Sequence, residues 1–204
     1  MNRYDVIIVG GGASGLSCAL TLASSKGKFP WAEGRRYLVI DNDSSDLLKA
    51  MLNNAPGVKQ GTLGRELIKH IIEQIKTYGN VDIVNDRVVF ASGEKGNFVV
   101  ETENERRFEG DYLVLATGFH EFNIEGLNVE VVPNPKAPRP GKIMIKTDEN
   151  YRVRDGLYVA GLLAGFSSMF ASAAGSGTQV ACNIMEEWAG KPVVIHDVPE
   201  PKKS

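Results

Sequence analysis

Near the N-terminus the sequence reads Tyr4-Asp-Val-Ile-Ile-Val-Gly-Gly-Gly-Ala-Ser-Gly15. Residues 6–9 are apolar and rich in β-branched side chains, a composition typical of a strand that is buried on both faces. Three glycines follow at GxGxxG spacing, and apolar residues between positions 16 and 23 then recur at helical spacing. We therefore expect a strand, a glycine turn and a helix in immediate succession.

The glycine turn predicts a site for the pyrophosphate of a dinucleotide. Gly10 permits the tight turn, Gly12 lets the backbone approach the phosphates, and Gly15 lets the helix pack closely on the strand. The helix N-terminus offers free N–H groups and a partial positive charge to the anion, so Ala13 and Ser14 belong to the same site. The alternative is a glycine-rich turn between a strand and a helix that binds no ligand.

A second apolar run, residues 37–40, ends in Asp41. An acid roughly 20 or more residues after the glycines is expected to accept hydrogen bonds from a ribose hydroxyl. A carboxylate there also repels the 2′-phosphate of NADP, which makes that cofactor a poor fit. The alternative is an aspartate that merely ends a strand, because residues 42–44 have the composition of a turn.

The rest of the chain alternates between strand patterns and helical patterns. Apolar residues over 67–75 predict an amphipathic helix that ends at Gly79, and residues 88–102 predict a small antiparallel hairpin or meander. Buried strands are predicted at residues 112–115 and 157–160, short strands at 81–84 and 143–145, and a last helix after the small-residue run 171–177. Residues 44–60 and 119–142 are expected to be irregular, and residues 103–109 to be an exposed turn or edge.

These elements predict an α/β fold, a Rossmann-like parallel sheet with helices on one or both faces plus a small antiparallel β meander. This is the fold of FAD- and NAD(P)-binding domains. We interpret residues 1–190 as a single domain of this kind. Residues 191–204 are charged and contain proline, which predicts a partly disordered tail.

Composition argues against several classes of partner. The net charge of −2 gives no electrostatic case for binding nucleic acid or an acidic membrane. No apolar run approaches the roughly 18 residues of a membrane-spanning helix, and the first run is too short for a signal peptide. Cys18 and Cys182 form no disulfide framework, which favours the cytoplasm, and each is most simply a small buried apolar side chain. We expect no metal site, since the sequence has no ligand cluster.

Further motifs follow in order along the chain. They are Asn54-Ala-Pro-Gly57, Gly64-Arg-Glu-Leu67, Asp86-Arg-Val88, Ala116-Thr-Gly118, Gly156-Leu-Tyr-Val-Ala-Gly161 and Ala173-Ala-Gly-Ser-Gly177. Together with the glycine turn and Asp41, this set resembles the flavoprotein disulfide reductase superfamily, and thioredoxin reductases in particular. The resemblance covers most of residues 3–190 and implies that the cofactor is FAD.

The resemblance also implies which residues meet each part of the FAD. It places the adenine near the backbone of Val88, and the flavin ring near residues 116–118 and 170–177. The complete set of expected cofactor contacts is Gly10, Gly12, Ala13, Ser14, Gly15, Asp41, Asn54, Val88, Ala116, Thr117, Gly118, Gly161, Leu162, Phe170 and Gly175.

The chain departs from the family pattern in three ways. Only 37 residues, 119–155, separate Gly118 from Gly156, whereas an inserted NADPH-binding domain needs on the order of 100. The redox dithiol motif CxxC does not occur. Leu162 takes the place of the family's aspartate at the flavin ribityl group, and Ser168-Met169 the place of its Arg-Gln pair. A lost hydrogen bond to a charged group costs about 1.5–3 kcal/mol, so Leu162 is expected to weaken FAD binding.

The sequence therefore predicts a stand-alone, thioredoxin reductase-like FAD domain that passes electrons to an unidentified acceptor. Its redox partner is a small molecule or another protein. The alternatives are a non-catalytic dinucleotide-binding sensor or scaffold, which Leu162 favours, and one component of a split reductase. His120 and Glu121 are the nearest candidates for acid–base chemistry, and the alternative is that both lie in an exposed loop. Neither a substrate nor an oligomeric state is indicated.

Overall fold

The computed structural model describes residues 3–197, which form three α-helices and twelve β-strands. The helices are α1 (Ala13–Ala23), α2 (Gly64–Tyr78) and α3 (Phe170–Ala189). The strands are β1 (Arg3–Val9), β2 (Tyr37–Asp41), β3 (Met51–Leu52), β4 (Thr62–Leu63), β5 (Val81–Asn85), β6 (Val88–Ser92), β7 (Phe98–Thr102), β8 (Arg107–Leu115), β9 (Val131–Pro133), β10 (Ile143–Ile145), β11 (Arg152–Arg154) and β12 (Leu157–Val159). Two 3₁₀ segments follow parallel strands: Asp46–Lys49 comes after β2, and Gly161–Ala164 comes after β12.

Five parallel strands form the main sheet in the order β12, β8, β1, β2 and β5. β1 lies in the middle, where Val9 is paired with Ile40 of β2 and with Leu115 of β8. β11 joins the β12 edge in antiparallel orientation. β7 pairs in antiparallel fashion with β6 and with the first half of β8. The predicted fold, a Rossmann-like parallel sheet with a small antiparallel meander, is confirmed.

The two faces of the sheet are covered by different elements. Ile8 and Val39 belong to a core shared with all three helices. On the opposite face, Ile7 and Leu38 pack with side chains of the meander such as Phe98. Because both faces are buried, the central strands are apolar at nearly every position rather than alternating.

Helices α1 and α3 pack with their backbones in contact at Gly177. A Cβ atom there would lie 1.9 Å from the carbonyl oxygen of Ser14 in α1. The small-residue run 171–177 therefore lies inside α3 instead of preceding it, since α3 begins at Phe170. The run brings the last helix against the first.

Some local expectations were wrong. Residues 103–106 form an exposed turn, as expected, but residues 107–109 belong to β8 and to neither an exposed turn nor an edge, because the buried ring of Phe108 alternates with the charged Arg107 and Glu109 along the strand. β3, β4, β9 and β11 were not predicted, and β3 and β9 lie in the segments 44–60 and 119–142 that were expected to be irregular. Each has two or three residues, which is too short for a periodic pattern to be read.

The predicted tail begins with packed residues. Val193 and Ile195 contact the helical core, and Lys28 Nζ lies 2.8 Å from a carboxylate oxygen of Asp197. Residues 198–204, the rest of the segment expected to be disordered, lie outside the described part of the chain. The domain boundary at residue 190 stays a prediction.

Candidate functional site

A cavity of about 670 Å³ opens where the parallel strands end. It is lined by the turn after β1, the end of β2, the loop between β5 and β6, the segment after β8 and the start of α3. Ligands of open α/β sheets bind at this edge, and the volume is that of a cofactor site. The predicted contact residues that line it are Gly10, Gly12, Ala13, Ser14, Asp41, Asn54, Val88, Ala116, Thr117, Gly118, Leu162 and Phe170.

The three other predicted contacts do not line the cavity. Gly15 packs α1 on the turn, since a Cβ there would lie 1.8 Å from the carbonyl oxygen of Gly10. Gly161 has φ 72°, and a Cβ there would lie 2.5 Å from Ser14 Oγ. Gly175 is exposed, and a Cβ there would meet nothing within 4 Å. Gly15 and Gly161 thus shape the wall from behind, while the space around Gly175 is open.

The glycine turn is held rigidly against its neighbours. Gly10 has φ 111°, and a Cβ there would lie 2.4 Å from the carbonyl oxygen of Ala116 in the chain after β8. At Gly12 a Cβ would lie 2.9 Å from Ser45 Oγ. A side chain is therefore excluded at Gly10, whereas at Gly12 it would displace the Ser45 hydroxyl, and the backbone of the turn itself forms the cavity wall.

Asp41 is fixed on this turn. Its Oδ1 accepts a hydrogen bond of 2.7 Å from the backbone N–H of Gly11, and its Oδ2 accepts one of 3.3 Å from that of Asp43. A Cβ at Gly11 would collide with the Asp41 carboxyl group, which explains why the middle residue of the run 10–12 is also glycine. The half-buried carboxylate lines the cavity in one defined orientation.

Asp86 is a buried carboxylate of the cavity wall that sequence reasoning did not select, although it belongs to the motif quoted for Val88. It accepts hydrogen bonds of 2.8 Å from Thr102 Oγ1, Asn104 Nδ2 and the backbone N–H of Arg87. Burial opposes ionisation, but these hydrogen bonds and the nearby Arg106 guanidinium lower the pKa of Asp86 below its usual value. The ionised group ties the β5–β6 loop to the β7–β8 turn and so positions the Val88 backbone.

The segment after β8 lines the cavity opposite Asp41. His120 Nε2 lies 2.7 Å from Asp46 Oδ2, and the Nζ of Lys142, the residue before β10, lies 2.5 Å from His120 Nδ1. Glu121 faces Arg87 at 3.7 Å. His120 and Glu121 lie in an exposed loop, as the alternative expected, and this loop also lines the cavity. Sequence reasoning did not select Asp46, Arg87 and Lys142. Asp46 is 74 residues from His120 in the sequence and Lys142 is 22 residues from it, so no local pattern indicates these contacts.

The far end of the cavity is apolar. Leu162 and Phe170 line it with partly buried side chains. Asn134 Nδ2 donates a 3.1 Å hydrogen bond to the carbonyl oxygen of Leu162, and Ser176 Oγ accepts one of 2.7 Å from the backbone N–H of Gly161. Among the described residues, this end presents no carboxylate in place of Leu162.

Other candidate chemistry lies away from the cavity. Cys18 is buried and Cys182 partly buried, and burial raises the pKa of both thiols. Within residues 3–197 no group of His, Cys, Asp and Glu side chains is arranged to hold a metal ion. None of the three helices of that range is long and apolar enough to cross a bilayer.

The sequence profile of the pyridine nucleotide-disulphide oxidoreductases matches residues 4–137. This chain belongs to that family. The matched range contains the glycine turn, Asp41, Asp86 and the segment after β8, whereas Leu162 and α3 follow it.

Two curated proteins are similar to this chain. Ferredoxin–NADP reductase 3 of Lysinibacillus sphaericus is 27% identical over 132 residues, which are 62% of this chain and 36% of that protein. Thioredoxin reductase tcpT of Claviceps purpurea is 28% identical over 124 residues, 61% of this chain and 37% of that protein. The chain thus spans a little over a third of the length of the curated relatives it matches.

Solved structures share the fold at low identity. A thioredoxin reductase from Gloeobacter violaceus aligns with a TM-score of 0.76 at 16% identity, covering 98% of this chain and 100% of that chain. An oxidoreductase from Agrobacterium tumefaciens aligns with a TM-score of 0.73 at 16% identity, covering 92% and 99%. These likenesses extend the shared fold beyond residue 137.

Proposed function

We propose that the cavity binds FAD and that the chain is the flavin-carrying domain of an oxidoreductase. The observation that carries this proposal is the continuity of the cavity. It joins the glycine turn and Asp41 at one end to Leu162 and Phe170 at the other, so a single extended dinucleotide can contact all of them. Membership of the oxidoreductase family supports the same cofactor.

The residues present fit FAD in three parts. The backbone of residues 10–14, which carries no side chain at its first three positions, would hold the pyrophosphate. Asp41 would accept hydrogen bonds from the adenosine ribose, and the backbone at Val88, positioned by Asp86, would meet the adenine. Leu162 would lie beside the ribityl chain, and Phe170 would contact the flavin ring. FAD supplies the electron-transfer chemistry, and the protein supplies binding, orientation and electrostatics.

Electrons would reach the flavin from outside residues 3–197. The 37 residues between Gly118 and Gly156 form a β hairpin and loops, with no room for a second nucleotide-binding domain. The donor would therefore be a diffusing nicotinamide, a redox protein or a nucleotide-binding domain outside these residues. The names of the curated relatives make NADPH, ferredoxin and thioredoxin the first molecules to try as partners.

One observation favours a second function, that of a non-catalytic dinucleotide-binding sensor or scaffold. Leu162 removes a charged acceptor from the part of the cavity that would hold the flavin chain. The pyrophosphate and adenosine contacts are unaffected by that change. A protein that binds ADP or NAD through the glycine turn and rejects the flavin would meet this description.

The absorption spectrum of the purified protein tests the proposal. We expect a yellow protein, or a colourless one that takes up added FAD with quenching of flavin fluorescence. The bound flavin should be bleached by dithionite and reoxidised by air, and NADH and NADPH should be tried as reductants. A protein that binds ADP but takes up no FAD would replace the first function by the second, and one that binds neither would contradict both.

A further inference from the structure

Asp46, His120 and Lys142 form a connected set of side chains, which we name the Asp–His–Lys bridge. Lys142 Nζ can only donate, so His120 Nδ1 accepts its hydrogen bond and the imidazole hydrogen lies on Nε2. That hydrogen points at Asp46 Oδ2, 2.7 Å from Nε2. The side chains of His120 and Asp46 are 52% and 54% exposed, so the contact lies at the rim of the cavity and can rearrange.

The bridge crosses above the glycine turn. Asp46 follows β2, His120 follows β8, and β1 lies between these strands in the sheet. Neighbouring strands are about 4.8 Å apart, so a contact between the two outer loops must pass over the end of β1. Ser45, adjacent to Asp46, has its Oγ 2.9 Å from the position that a Cβ atom would take at Gly12. Asp46 and His120 therefore line the same part of the cavity as the glycine turn, and Lys142 adjoins it through His120.

The members of the bridge would interact differently with a bound anion. Lys142 and the Nε2–H of His120 are donors that a phosphate oxygen would attract. Asp46 is a carboxylate that a phosphate would repel, and in this structure it accepts the His120 hydrogen bond that a phosphate could accept instead. The glycine turn provides backbone N–H groups but no cationic side chain.

We propose that His120, with Lys142 beside it, binds the pyrophosphate of the dinucleotide, and that Asp46 occupies the Nε2–H donor of His120 while the ligand is absent. This inference rests on the proposed function, because it assigns the second wall of the same cofactor site. On binding, the His120 hydrogen bond transfers from the Asp46 carboxylate to a phosphate oxygen, and Lys142 follows. Asp46 is then a competitor of the ligand rather than a contact of it.

Opposite effects of substitutions on the two sides of the bridge test this inference. His120→Ala and Lys142→Met should each weaken FAD affinity about tenfold, the loss expected for a hydrogen bond to a charged group. Asp46→Asn should strengthen FAD affinity by roughly threefold, because it removes a competing charge. His120→Gln, which keeps an N–H donor, should recover part of the loss. Affinities are measured by fluorescence titration of FAD.

Matched controls separate these effects from general changes of charge. Lys146→Gln, in the segment directly after β10, and His70→Gln, on the exposed face of α2, should leave FAD affinity unchanged. Thermal unfolding of each variant checks that it is folded. If the bridge only held the two loops together, substitutions on either side of it would change the FAD affinity in the same direction. That result, or no change in affinity at all, would overturn the inference.

Failure of the inference can be told from failure of the proposed function. If the wild-type protein takes up FAD and the variants lack opposite effects, only the role of the Asp–His–Lys bridge is wrong. If the wild-type protein takes up no FAD, calorimetric titration with inorganic pyrophosphate tests the bridge separately. Pyrophosphate binding that Lys142→Met weakens and Asp46→Asn strengthens would support the role of the bridge, and the absence of binding would contradict it.

Discussion

The glycine turn after β1 and the segment after β8 line the same cavity from opposite sides, but they are held in different ways. The turn is fixed by backbone contacts that leave no room for a Cβ atom at Gly10 or Gly15. The segment after β8 is anchored at the buried Phe119, but its next two side chains, His120 and Glu121, are held by exposed pairs with Asp46 and Arg87. Close packing resists deformation, whereas exposed ion pairs contribute little and exchange readily.

The difference indicates a division of labour within the site. One wall is preorganised, so its ordering cost is met when the chain folds and not when a ligand binds. The other wall can adjust to what enters the cavity. The predictions below test this contrast between a rigid wall and an adjustable one, beginning with the rigid wall.

Gly15→Ala should unfold or severely destabilise the protein. The new Cβ would lie 1.8 Å from the Gly10 carbonyl oxygen, and both atoms belong to backbone that cannot move without displacing α1 or β1. We expect a loss of about 3 kcal/mol or more in the free energy of unfolding, measured by urea denaturation. Gly175→Ala is the matched control, since it lies inside α3 with open space around it. It should stabilise the protein by about 0.5–1 kcal/mol, and equal losses in both variants would contradict a rigid first wall.

Asp86→Asn should destabilise the protein by about 2 kcal/mol, because the carboxylate accepts three hydrogen bonds while buried. The effect depends on pH. The pKa of Asp86 is lower in the folded protein than in the unfolded chain, so the stabilisation is present above the unfolded value of about 3.9 and is lost as the pH falls through the folded value. Urea denaturation of both proteins at pH 7 and below pH 4 should show the difference shrinking in acid. A difference that grew in acid would contradict this assignment.

The rigid wall could be predicted from the sequence and much of the adjustable wall could not. A glycine signals a backbone conformation or a close approach through its own identity, so Gly10, Gly12 and the strand and helix around them are visible in a short window. Asp41 is visible in the same way, because it directly ends an apolar run. The expectation that Gly175 contacts the cofactor came from resemblance alone, and its surroundings in α3 are open.

Side-chain pairs between distant loops leave no such local signal. Nothing near Asp46 in the sequence indicates that its partner is His120, 74 residues later, because the contact follows from the order β8, β1, β2 in the sheet. The same holds for Asp86, whose partners lie on the β7–β8 turn. The fold class was accessible because it rests on local patterns, whereas the second wall rests on tertiary placement.

Leu162→Asp should strengthen FAD binding about tenfold if the flavin chain lies beside this residue, because a carboxylate restores a charged acceptor. The side chain is partly exposed in the cavity, so the charge can remain hydrated in the free protein. Leu162→Asn is the control: asparagine has the size of aspartate but no charge, so it should increase the FAD affinity less. Titration with FAD and with ADP distinguishes the sites, since the ADP affinity should be unchanged. A loss of FAD affinity with Leu162→Asp would instead indicate that this part of the cavity selects an apolar ligand.

The smallest effect is expected at the second pair of the adjustable wall, Arg87 with Glu121. Its charged atoms are 3.7 Å apart and its side chains are 45% and 67% exposed, so water screens the attraction. A double-mutant cycle with Arg87→Gln and Glu121→Gln should give a coupling of at most about 0.5 kcal/mol in the free energy of unfolding. The coupling should vanish in 1 M salt, where the Debye length is about 3 Å. A salt-independent coupling well above this limit would show that the segment after β8 is as firmly fixed as the glycine turn, and the two walls would then not differ in kind.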